Sequence, residues 1–274
     1  MKDISIFAKP ASYYQRGKLS YPHLFRGSSI IRGEQISNYL GCKLNPVYGY
    51  GDDVCIYVKP TDMNEIKDGS WVDIMDGERL INLLVPRPEI NVITFSDYTH
   101  KLYQEKMKNK MVLIPQHHCN FNRELRSRRT NKTVGFIGGE IGFFFPKDKM
   151  QELVEEAGFR LLFVSGYKTR EDVLDFYRQV DIQITWSHPR FRYQARAPLK
   201  LTNASSFGIP TVGYPQECYG EAEGNYIKVD TIPALIKELR RLHDPFYYDS
   251  WVRKIVPWSE KYHISKIAEL YRQL

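Results

Sequence analysis

Between Lys132 and Leu242 the chain alternates short β-branched or aromatic runs with amphipathic helical segments, and this alternation limits the fold more than any other feature. Lys132–Gly138 (KTVGFIG) reads as a strand entering a glycine turn. In Asp148–Ala157, Met150, Leu153, Val154 and Ala157 recur at i, i+3, i+4 and i+7, the stripe of a helix, with Gly158 as its stop. Phe159–Val164 is a nearly continuous apolar run, which predicts a strand buried on both faces. Thr169 with Glu171 and Asp172 predicts a capped helix running to about Gln179. Asp181–Thr185 is a further strand, Leu199–Phe207 a helix stopped by Gly208, Pro210–Tyr214 and Tyr226–Val229 two more strands, and Ile232–Leu242 another helix. Short connections and the lack of hairpin signals point to an α/β fold with a parallel, doubly wound sheet.

The first half alternates more loosely. Strands are expected over Asp3–Ala8, Asp53–Val58, Trp71–Ile74, Asn91–Phe95 and Met111–Pro115, and helices over Ile30–Leu40, Gly77–Leu84 and Tyr98–Met107. A second α/β unit follows, giving an expected division into 1–122, a linker over 123–132, 133–258, and a last helix over 259–274. The linker reading rests on Arg123–Lys132 (RELRSRRTNK), which has five basic residues, one acid and no apolar period. In the last helix Ile264, Ile267, Ala268 and Tyr271 keep the i, i+3, i+4, i+7 spacing.

Composition narrows the class. With 274 residues, 42% hydrophobic and 26% charged, the chain can bury a core and is not a disordered polymer. No apolar run approaches the roughly 18–20 residues of a membrane span. The N-terminal MKDISIFAKPASYY lacks an apolar signal core, so a cytoplasmic chain is expected. The four cysteines, Cys42, Cys55, Cys119 and Cys218, are scattered and show no zinc or disulfide spacing. A net charge of +7 favours anionic partners: phosphorylated small molecules, nucleic acid or an anionic surface.

Parallel sheets bind ligands beyond the carboxyl ends of their strands. Three such places stand out in the second half. Gly138 and Gly139 follow a strand and would let backbone N–H groups approach a diphosphate, although GGEIG is neither GxGxxG nor a P-loop and also fits an ordinary turn. The segment SHPRFRYQARAPLK carries Arg190, Arg192, Arg196 and Lys200; guanidinium and ammonium groups here would neutralise a departing diphosphate. Arg196 and Lys200 lie nearest the start of the next helix, where its dipole adds to their charge. After the strand PTVGY come Glu217 and Glu221, either of which has the chemistry to accept ribose hydroxyls.

The stretch KLTNASSFGIPTVGYPQE resembles the donor-site segment of GT-B glycosyltransferases, whose pattern K-L-x-x-A-x-x-x-G-x-P-V-V precedes an acid. GFIGG resembles the opening of their donor domain, and VITFSDYTHKLYQEK with VLIPQHHC resembles the segment leading into their interdomain linker. The resemblance spans residues 91–274 in order. It implies two Rossmann-like domains facing a cleft, a C-terminal helix crossing back to the first domain, and metal-independent transfer from a nucleotide sugar. A UDP-sugar is the default donor and a GDP-sugar the next, with no separate cofactor; the acceptor is a glycan or another hydroxyl. By match to the family, Gly138 and Gly139 line the diphosphate, Arg196 and Lys200 stabilise it with Arg192 in the same loop, and Glu217 or Glu221 holds the ribose. The chain departs from the E-x7-E motif of retaining members, since no acid lies between Pro198 and Asn203.

An inverting transfer needs a base for the acceptor hydroxyl. The candidates are Asp73 and Asp76 in WVDIMDG, His117 and His118 after MVLIP, and His23 in YPHLFRG. Asp73 and Asp76 also fit a helix cap, and the histidine pair a structural contact. The alternatives from other classes are a nucleic-acid-binding protein, a glycosyltransferase acting on DNA, and a sugar-nucleotide epimerase; no helix-turn-helix, RRM or zinc signature supports the first, so no stable nucleic-acid partner is expected.

Overall fold

In the computed structural model every strand pairing is parallel, and the strands divide into a six-stranded and a five-stranded sheet. The structure describes residues 2–8, 27–75, 78–126, 131–139, 142–167, 169–187 and 196–274. The chain forms two compact units, Met1–Gln116 with Ile264–Leu274, and His117–His263.

The first unit carries β1 (Ile4–Ala8), β2 (Lys43–Leu44), β3 (Val54–Val58), β4 (Trp71–Asp73), β5 (Asn91–Thr94) and β6 (Met111–Leu113), in the order β2-β1-β3-β4-β5-β6. A π-helical stretch, Ser29–Glu34, runs into helix α1 (Gln35–Leu40), followed along the chain by α2 (Glu78–Leu84) and α3 (Asp97–Gln104). Ser96 caps α3 in a reciprocal box with Thr99.

The second unit carries β7 (Thr133–Ile137), α4 (Lys147–Glu156), β8 (Arg160–Val164), α5 (Arg170–Gln179), β9 (Ile182–Thr185), α6 (Leu199–Ser206), β10 (Thr211–Gly213), β11 (Ile227–Lys228), α7 (Ile232–Arg241) and α8 (Pro245–Ser259); the final helix, α9 (Ile264–Arg272), belongs to the first unit and packs on α1. Sheet order is β11-β10-β9-β7-β8. From β7 the chain goes first to β8 on one side and then to β9 on the other, so the topological switch point lies between β7 and β9. Apolar layers cover both faces. Val134, Phe136, Met150, Val154, Ile182, Ile184, Leu235 and Leu239 form one; Ile137, Leu174, Phe176, Tyr177, Val180, Ala204, Phe207 and Ile209 form the other. Burying a side chain of this size is worth roughly 1.5–3 kcal/mol, which is what offsets the cost of ordering the chain.

Local signals act as the sequence implies at several points. Thr169 accepts from Asp172 N while Asp172 accepts from Thr169 N, capping α5. Gly208 follows α6 at φ 69°, where a side chain would be strained and would meet Val252.

Three expectations change. β8 is an edge strand and only partly buried, because among the described residues nothing pairs with it beyond β7. The expected linker is packed where it is described: Arg126 bonds Asp181 (3.1 Å), Arg123 pairs with Glu260 (2.6 Å), and Asp181 Oδ2 accepts from the backbone N–H groups of Lys132 and Thr133. The expected last helix starts later, at Ile264, and an unexpected helix precedes it. α8 already begins at Pro245 behind the cap Asp244, a turn over Glu260–Tyr262 follows, and His263 is extended before α9 starts. The two compact units divide after Gln116 and after His263.

Candidate functional site

β7 ends at Gly138, whose φ is 149° and whose N–H donates to Val164 O (3.0 Å). A Cβ at Gly138 would sit 2.9 Å from Lys200 Nζ, whereas one at Gly139 would meet nothing within 4 Å. The glycine pair therefore does two things: the first lets a lysine close in on the backbone, and the second leaves the backbone open.

Lys200 comes from the first turn of α6. Its stem crosses the Phe136 ring, with Nζ 4.2 Å from the centroid. Burial, reinforced by the positive charge of Arg196, pulls its ammonium down to about 8. A desolvated cation beside a second cation is costly unless an anion arrives to share the site. Arg196 is exposed, and its field also reaches Tyr167 and Tyr219: burial pushes both phenols up and Arg196 draws them partly back. Gly138, Lys200 and Arg196 thus gather where β7 and β9 part, the place where a doubly wound sheet takes its ligand.

Glu217 and Glu221 lie on a short 3-10 helix, Glu217–Ala222, after β10. Glu217 is exposed and Glu221 half-buried. Burial and then the Glu221 charge push the neighbouring Cys218 thiol up to about 12, with the Arg196 backbone opposing them.

The other candidates fall elsewhere. Asp73 is fully buried at the end of β4. Its Oδ2 takes Arg32 Nε at 2.6 Å and its Oδ1 accepts from Met75 N. Arg32 also donates to the carbonyls of Ile114 (2.9 Å) and Pro115 (2.7 Å) and lies over the Tyr271 ring of α9. Burial opposes the charge on Arg32, but Asp73 more than offsets it and keeps the guanidinium a cation. His117 and His118 are buried in the second unit. His117 lies edge-on to Phe121, and His118 packs against His263 while its N–H donates to Tyr262 O. Burial, with His263 and His117 adding, holds His118 down to about 3, so it is neutral and a weak base at pH 7. Asp76, Arg192, Arg190 and His23 lie outside the described residues. Among the described residues no group of three or more His, Cys, Asp or Glu could hold a metal ion, and no helix is long and apolar enough to cross a membrane.

Sequence reading missed the polar support beneath Lys200. Gln183, fully buried in β9, donates through Nε2 to the Lys200 carbonyl (2.9 Å) and to Thr211 Oγ1 (3.0 Å), and the Tyr177 hydroxyl donates to its Oε1 (2.8 Å). The signal was a single polar residue in the apolar run IQI. Asn203 and Asn120 are further unread ties: Asn203 Oδ1 accepts from Cys119 N, and Asn120 Nδ2 donates to Ser206 O.

The fold is that of the GT-B glycosyltransferases. WaaG, a glycosyltransferase involved in lipopolysaccharide biosynthesis, matches with a TM-score of 0.62 at 10% identity, over 98% of this chain and 98% of WaaG. The pneumococcal O-GlcNAc transferase GtfA in complex with UDP and GlcNAc matches at 0.51 and 13% identity, over 82% of this chain and 52% of GtfA. A variant of S. aureus TarM in complex with fondaparinux, α-GlcNAc-glycerol and UDP matches at 0.52 and 11%, over 83% and 52%. The chain thus spans about half the length of TarM and GtfA. No protein-family model and no curated protein matches the sequence.

Proposed function

We propose that the protein transfers a sugar from a nucleoside-diphosphate sugar to a hydroxyl acceptor. The observation that carries this is the desolvated ammonium of Lys200, set against Gly138 with Arg196 close by, at the switch point between β7 and β9. An anion at that point offsets the solvation that Lys200 loses and the repulsion between the two cations, and a diphosphate fits the pair. As the glycosidic bond breaks, negative charge grows on the leaving diphosphate, and Lys200 and Arg196 stabilise it without a divalent ion. Gly139 leaves room for backbone N–H groups to approach, and Glu221 stands as the ribose acceptor with Glu217 further out. UDP is the proposed nucleotide, because two of the similar structures contain it. Of the acids and imidazoles considered for the acceptor side, Asp73 is engaged by Arg32 and His118 is a weak base, so the base is proposed to be Asp76, His117 or His23.

Thermal shifts with UDP, GDP, CMP, dTDP and duplex DNA test the reading. One nucleoside diphosphate should raise the melting temperature by mass action. Stabilisation by DNA alone, lost steeply with salt, would replace it with nucleic-acid binding.

A further inference from the structure

We propose that Gln183 and Tyr177 are positioning residues for Lys200, anchoring its backbone so that its ammonium stays over Phe136 and against Gly138. The consequence for ligand binding rests on the diphosphate reading above; the anchoring does not.

A carboxamide in the middle of a buried strand is a poor choice for stability alone, since replacing a buried polar set by apolar groups of the same shape is close to neutral. Here the set is fully connected. Tyr177 comes from α5, Gln183 from β9 and Thr211 from β10, and all three are buried. Both hydrogens of the Gln183 amide are used, one on Thr211 and one on the Lys200 carbonyl, and its oxygen takes the Tyr177 hydroxyl. The same hydroxyl lies 3.5 Å from the Lys200 carbonyl. Burial raises the Tyr177 phenol well above its ordinary range, so it remains a donor and keeps the amide in one orientation. Lys200 is thus held at both ends, by its carbonyl below and by the Phe136 face and Gly138 above. A lysine has four rotatable bonds, and fixing its backbone is what lets a long side chain keep one address.

The test is competitive acetylation of Lys200 by acetic anhydride across pH, read by peptide mass spectrometry in the intact chain. In the unaltered protein Lys200 should titrate near 8. In Gln183→Met, which keeps the volume and loses the hydrogen bonds, the midpoint should rise by about one unit or more toward the ordinary lysine value of roughly 10.4 as the ammonium swings to water. UDP binding at pH 7 should weaken about fivefold or more in the same variant, because fewer molecules hold the lysine in place. Tyr177→Phe keeps the ring and should move both readouts in the same direction by less, which covers a Gln183 variant that does not fold. An unchanged midpoint in both variants, with only a lower melting temperature, would make the network purely structural and overturn the proposal. If UDP binds neither protein while the midpoint still shifts, the anchoring stands and the donor reading falls.

Discussion

In the six-stranded sheet the buried cation is Arg32, met by Asp73 at 2.6 Å and by two backbone carbonyls. In the five-stranded sheet the cation to set beside it is the half-buried Lys200, met by an aromatic face, a glycine and another cation; among the described residues no acid pairs with it. Both groups sit toward the carboxyl ends of parallel strands. Arg32 has its counter-charge built in, and with Tyr271 it fastens α9 onto the first unit. Lys200 carries the desolvation cost without the compensation. A buried charge neutralised by its own fold is a structural element. One with no acid beside it is what the proposed function uses to hold an outside anion, and burial with Arg196 accordingly pulls Lys200 down to about 8.

Breaking the closed pair should give the largest effect. Asp73→Ala leaves the Arg32 cation buried and uncompensated, and should cost about 3–5 kcal/mol in urea unfolding. Replacing both partners by apolar residues, Arg32→Met with Asp73→Leu, should recover most of that loss. A single-variant cost under about 1 kcal/mol would show that the pair is in effect solvated. Lys200→Ala should behave in the opposite way. Sugar transfer should fall about a hundredfold or more, the scale for losing one charge-stabilising group, while the melting temperature holds or rises. Arg196→Ala should follow it in rate. Near-normal turnover in both would place the diphosphate elsewhere.

The contrast was half legible in the sequence. Gly138, Arg196 and Lys200 could be found because strand-end position and residue type are local properties, and the strands themselves alternate plainly. What Asp73 does was not legible. WVDIMDG reads as a strand-end acid, and its partner Arg32 lies 41 residues away in the stretch read as a helix over Ile30–Leu40, where helical spacing says nothing of which acid it will meet. Gln183 was hidden for a related reason: strand alternation says that a position is buried, not which backbone it will bond. α8 was missed although Asp244-Pro245 marks its start and Tyr248, Trp251, Val252 and Ile255 keep helical spacing; the helix accommodates Pro257 in its last turn. The extended His263 is a backbone event with no composition of its own, so the break before α9 had no signal.

Gly138→Ala sharpens the comparison at the open site. The alanine would have to hold φ near 149° and push Lys200 Nζ aside from 2.9 Å. Strain of this kind is worth about 2 kcal/mol, and it should appear both in urea unfolding and as weaker UDP binding. Gly139→Ala, whose Cβ meets nothing, is the control that should leave stability unchanged. Equal effects at the two glycines would mean that closeness to Lys200 is not what Gly138 provides.

The smallest effect is the one that separates binding from stability by sign. Lys200 titrates near 8 in the folded chain and at roughly 10.4 when unfolded. Below 8 both states carry the proton, and the folded state bears the cost of a desolvated charge. Between about 8 and 10 the folded state gives up the proton while the unfolded state keeps it, so this residue's contribution to stability rises with pH. UDP affinity should move the other way, falling about tenfold between pH 7 and 9 as the ammonium is lost. Calorimetric titration with UDP and urea unfolding over that range, each repeated on Lys200→Ala, measure the two slopes. In the variant the lysine's share of both should vanish together. If instead affinity and stability fall side by side as pH rises, Lys200 is paired with an acid as Arg32 is, and the difference between the two sheets disappears.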